Sequence, residues 1–115
     1  MSRDTRPISW MDAALKAFDA FPEGARSDCH DALTVAADGG KSIYAKPLTG
    51  VGSGVMEIAL PFRGNAYRVI YAVKIGEDLW VVHAFQKKST QGIKTPKHEI
   101  DLIKERLKRL KEMLR

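Results

Sequence analysis

The chain has a single cysteine, Cys29, among its 115 residues. Alone it can neither close an internal disulfide nor supply a multi-thiolate zinc site. A reducing cytoplasm is the expected compartment. Long apolar runs are missing too: no stretch approaches the roughly 18 apolar residues of a membrane helix. Nothing apolar follows Met1-Ser2-Arg3-Asp4-Thr5-Arg6-Pro7 in the manner of a signal peptide. The sequence has no internal repeat, no HExxH, no paired Cys/His ligand set and no Gly-x-Ser-x-Gly elbow. Gly50-Val51-Gly52-Ser53-Gly54 has no Gly-Lys-Ser/Thr after it, so it is no phosphate loop. No metal or cofactor is expected. What remains is 44% hydrophobic and 29% charged, which excludes disordered and collagen-like chains. The length fits one domain spanning residues 1–115.

Charge is unevenly placed. Residues 1–86 carry a balance of −1, and residues 87–115 carry +6. A basic end on a nearly neutral body suits a polyanionic partner, or is simply a solvated basic helix.

Periodicity outlines the elements. Met11, Ala14, Leu15, Phe18 and Phe21 form a helical stripe, which predicts a helix over Trp10–Phe21 with Ser9 as N-cap. Pro22 stops it, and a second helix runs from Pro22 or Glu23 to Ala37, ended by Gly39-Gly40. The pair reads as a helical hairpin. Residues 41–54 read as loop. Three strands follow, over Gly54–Leu60, Ala66–Ile75 and Leu79–Lys87, with short links that imply an antiparallel meander. Thr95-Pro96 opens a last helix, with Thr95 as N-cap. Its seam of Ile100, Ile103, Leu107, Leu110 and Leu114 can dock on the sheet or on a partner helix. The fold class is α+β.

The histidines His30, His83 and His98 lie apart in sequence. His83, inside a strand, reads as a satisfied sheet histidine, and His98 can face a phosphate at the last helix start. Cations offer more chemistry. The meander brings Arg68 toward Lys87 and Lys88, a cluster that can hold a phosphate and stabilise a phosphorane-like transition state. Such cations can equally be solvated strand ends. Arg68 is expected to face a groove and to pack few atoms. By alternation Glu57 shares a face with Val55 and Ala59. It can be a general base for a ribose 2′-hydroxyl or an ion-pair partner for Arg68.

A family resemblance rests on several segments. They are Tyr67-Arg68-Val69-Ile70-Tyr71, then Leu79-Trp80-Val81-Val82-His83-Ala84-Phe85-Gln86-Lys87-Lys88, and Thr95-Pro96 opening a helix. Upstream, Lys46-Pro47-Leu48-Thr49-Gly50 and Met56-Glu57-Ile58 also fit. This pattern resembles the phage-type RelE/HigB-like toxins of the RelE/ParE superfamily, over about residues 44–110. The resemblance implies a short first strand near Arg6–Ser9, a helical hairpin, a twisted antiparallel sheet and a C-terminal helix. It implies a toxin of a type II toxin–antitoxin system that cleaves mRNA on the ribosome. Attack by the 2′-hydroxyl gives 2′,3′-cyclic phosphate and 5′-hydroxyl ends. By position it makes Arg68, Lys88 and Glu57 the catalytic candidates. Arg63, Lys87, Lys94, Lys97 and His98 become candidate RNA-phosphate contacts. The implied partners are a helix-turn-helix antitoxin, the ribosome and mRNA. The chain departs from the pattern where several relatives carry a C-terminal catalytic tyrosine or histidine, for which His98 is a poor substitute by spacing. The alternative is a non-enzymatic gyrase poison of the ParE type, or an inactive antitoxin-binding homologue.

Overall fold

The structure, a computed structural model, describes residues 5–88 and 94–115, and the Lys88 side chain lies outside the described part. The order is β1 (Ile8–Trp10), α1 (Asp12–Asp19), α2 (Glu23–Ala37), β2 (Ala45–Pro47), β3 (Val55–Phe62), β4 (Asn65–Ala72), β5 (Leu79–Lys88) and α3 (Lys97–Met113). The class is α+β. The five strands form one sheet in the order β1-β5-β4-β3-β2. The meander of β3, β4 and β5 is antiparallel as expected. The sheet as a whole is mixed, because β1 pairs parallel with β5.

Two expected helix caps fail because their hydroxyls bond elsewhere, and other boundaries differ as well. Ser9 does not cap α1; it lies in β1 and donates to Asp78 Oδ2 at 2.5 Å. That helix starts at Asp12 and ends at Asp19, short of Phe21. Residues 41–54 are not all loop: β2 pairs antiparallel with β3 inside them. The strand expected over Ala66–Ile75 ends at Ala72. Thr95 does not cap α3, which starts at Lys97 with Pro96 before it.

Register decides which side chains share a face. Paired residues project to the same side of a sheet, and successive residues to opposite sides. On one side Ile58, Leu60, Tyr67, Val69 and Tyr71 meet the two N-terminal helices, which pack on the sheet more than on each other, with α1 against β5 and α2 against β3. Ring contacts run from Trp10 through Phe18 and Phe21 to Tyr67, with centroids 4.8, 5.5 and 4.8 Å apart. Each such pair adds about 0.5–1.5 kcal/mol beyond its buried area. Gly24 lets α2 approach here, since a Cβ at that position would lie 2.7 Å from the Phe62 ring. On the other side α3 covers β5 with Ile103, Leu107 and Leu110 buried, so its seam docks on the sheet. Leu114, the last seam residue, stays exposed. Among the described residues, no helix is long and apolar enough to cross a membrane.

Candidate active site

The α3 side of the sheet carries the polar residues. One cross-strand row reads Lys46, Glu57, Ile70 and His83 over β2, β3, β4 and β5. The next row is Ala59, Arg68 and Phe85, and the one beyond it Pro61, Ala66 and Lys87. Glu57, Arg68 and Lys87 therefore share one face, as alternation predicts.

Arg68 is not a groove-facing strand end. It is 4% exposed, and Glu57 is 1% exposed. Arg68 Nη1 donates to Glu57 Oε2 at 2.9 Å. Thr95 Oγ1 donates to the same oxygen at 2.5 Å and accepts from Arg68 Nη1 at 3.4 Å. Of the two roles open to Glu57 from sequence, the ion pair is therefore formed. It leaves the carboxylate on the wall of a pocket of about 380 Å³. Lys46, Leu48, Glu57, Lys94, Thr95 and Ile100 line that pocket. Two exposed ammonium groups, Lys46 and Lys94, thus share one cavity with a carboxylate whose direction is set by a guanidinium and a hydroxyl. Lys87 is buried one row beyond Arg68. Desolvation, then the Arg68 charge, holds its ammonium below the usual lysine range.

The remaining candidates separate. Lys88 ends β5, and its side chain lies outside the described residues. Arg63 sits in the β3–β4 turn with its guanidinium 5.3 Å from the centre of the Phe62 ring, which faces the helical hairpin. Lys97 is exposed and paired with Asp101 at 2.8 Å. His98 is exposed, with Nε2 3.4 Å from Glu99 Oε2. None of these last three lines the pocket.

Two groups were passed over in the sequence. Lys46 is one, since its place opposite Glu57 exists only once β2 is recognised. The other is a partly buried set around His83. Arg106 Nη1 donates to His83 Nδ1 at 2.8 Å and to Val82 O at 3.1 Å. A guanidinium cannot accept, so Nδ1 is the acceptor and the proton sits on Nε2. Nε2 then donates to Glu99 Oε1 at 2.6 Å. Burial, opposed by the Glu99 bond and helped by the Arg106 charge, pushes the His83 pKa down. The signal was Glu99 and Arg106, seven residues apart and flanking the apolar seam. His83 is the satisfied sheet histidine expected from its strand position. Cys29 is buried, and burial pushes its thiol up to about 12, so no thiolate nucleophile forms there at neutral pH.

No curated protein and no solved structure gives a significant match to the chain. A family model does: residues 16–108 match the one described as Phage derived protein Gp49-like (DUF891). The matched span runs from α1 into the last turns of α3 and includes every residue lining the pocket. With most of its length matched, the chain belongs to the phage-derived Gp49-like family, a RelE-like toxin family of toxin–antitoxin systems.

Proposed function

We propose that this toxin is a ribosome-dependent mRNA endoribonuclease, held in check by a helix-turn-helix antitoxin. The observation that carries the reading is the Glu57 carboxylate on the pocket wall, oriented by Arg68 and Thr95, with Lys46 and Lys94 at the same cavity. Cleavage by a ribose 2′-hydroxyl needs three things: a proton acceptor, positive charge for the dianionic phosphorane, and a proton for the leaving 5′-oxygen. Glu57 takes the 2′-hydroxyl proton. Lys46 and Lys94 meet the phosphate oxygens, and one of these ammonium groups protonates the leaving oxygen. Arg68 acts through Glu57, as a positioning residue. The products are a 2′,3′-cyclic phosphate and a 5′-hydroxyl. So few groups cannot order a flexible message by themselves, so the ribosome supplies the bent, aligned strand.

The test is cleavage of a defined message on programmed ribosomes, with the new 3′ ends analysed. Wild-type protein should cut only with ribosomes present and leave cyclic phosphate ends. Lys46→Ala should remain folded, because this lysine is exposed, and should cut on the order of 100-fold more slowly. Intact messages, with growth arrest traced to gyrase–DNA cleavage complexes, would overturn the proposal.

A further inference from the structure

A second feature lies at the β2 edge of the sheet, on the margin of α2. Folding leaves three large apolar residues in the open there: Ile43 at 91% exposure, Val35 at 43% and Tyr44 at 41%. Val35 and Tyr44 border a groove of about 260 Å³ between α2 and the chain entering β2. Asp28 and Asp31, both exposed, form its lip. Scattered apolar residues on a surface are ordinary, but two of them bordering one groove, with Ile43 next to Tyr44 in the chain, mark a contact site.

From this groove we infer where the antitoxin sits: an amphipathic segment of that protein, apolar on one side and flanked by Lys or Arg, packs between α2 and β2. The occupant is the antitoxin that the toxin–antitoxin reading implies. Two arguments select this chemistry. The first is charge. Residues 12–38, which hold α1 and α2, contain six Asp/Glu and two Lys/Arg, whereas residues 87–115 carry +6. A phosphate backbone is repelled from the first region and drawn to the second, while a cationic segment is drawn to the first. The second is the edge itself. Strand addition to β2 lacks donors, because Pro47 has no N–H and the Ala45 N–H already donates to Ser42 O at 3.0 Å. The partner must bind through side chains in the groove, as a helix laying an apolar face into it does.

The experiment uses the full chain and the product of the adjoining reading frame, with growth rescue and direct binding measured first. If that product neither relieves arrest nor binds wild type, the toxin–antitoxin reading fails, and this proposal falls with it. If it binds, Val35→Ala combined with Tyr44→Ala should weaken affinity by about 30-fold or more, the scale of lost interface anchors. Thermal unfolding should not move, since both side chains are exposed. Lys46→Ala, on the pocket, should change affinity less than about threefold if the site lies apart. Asp28→Lys with Asp31→Lys should slow association by about tenfold at low salt. Parent-like binding by the apolar double variant would overturn the proposal. So would loss of single-stranded RNA binding, rather than antitoxin binding, in that variant. A wild-type homodimer that Tyr44→Asp converts to monomer would assign the groove to a second copy and overturn it as well.

Discussion

Arg68 and Glu57 set the first expectation at the scale of single residues. Both are almost fully buried, so Arg68→Ala leaves the Glu57 carboxylate buried without its guanidinium. Arg68→Ala should cost about 3–5 kcal/mol. Calorimetry should then find Tm lower by more than about 10 °C. Replacing both, with Arg68→Met and Glu57→Leu, should recover most of that stability, since an apolar pair of similar volume needs no desolvated charge. Cleavage should stay lost in the double variant. If cleavage returned with the fold, the pair would be structural alone. The second expectation concerns His83. Its folded-state pKa is lowered, so near its ordinary pKa the unfolded chain binds more protons than the native one. Stability is therefore full above about pH 6.5 and falls as pH drops below it, by up to about 1.4 kcal/mol per pH unit. Urea midpoints at a series of pH values should show this limb, and His83→Gln should flatten it. Sequence reading reached Glu57, Arg68 and Lys87 because strand alternation is local and regular. Thr95 as partner of Glu57 and Arg68 was out of reach, because its hydroxyl had two possible uses. A helix cap is visible in a short window; a bond to a carboxylate 38 positions away is not.

The elements were legible in proportion to their length. The 17-residue α3 and the three long strands announce themselves by period. β1 and β2 have three residues each, too few for alternation to register. β2 also sits among glycine and proline, which are loop signals. The β3–β4 turn offers a further test at this scale. Phe62 pairs with Asn65, so Arg63 and Gly64 form a two-residue hairpin turn with φ of 51° and 82°. Arginine tolerates that left-handed position poorly, whereas Asn-Gly is the favoured pair. Arg63→Asn should therefore stabilise the protein by about 0.5 kcal/mol after loss of the Phe62 contact. Tm should rise by roughly 2 °C. Arg63 stands away from the pocket, so cleavage and growth arrest should not change. A defect in cleavage by this folded variant would return Arg63 to the RNA-binding surface.

Across the whole molecule the sheet grades from a sheltered centre to open margins. β4 is flanked on both edges and buried along most of its length, while β1 and β2 hold three pairings each at the margins. Amide hydrogen exchange should therefore be slowest in Val69–Tyr71 and fastest, among strands, in Ala45–Lys46. Uniform protection across the five strands would mean that the sheet opens as one unit. The parallel pairing of β1 with β5 has a bearing on how the protein is made. Ile8 is synthesised early, yet its partner Leu79 comes long after, so that contact closes a large loop and forms late. The pocket obeys the same timetable, because Glu57 waits for Lys94 and Thr95 from beyond the last strand. A chain cut short before residue 79 thus lacks the β1–β5 pairing, and one cut anywhere before residue 94 lacks a complete pocket. On the cleavage proposed above, birth itself acts as a safety interval, in which a nascent chain without its pocket cannot cut before any partner reaches it.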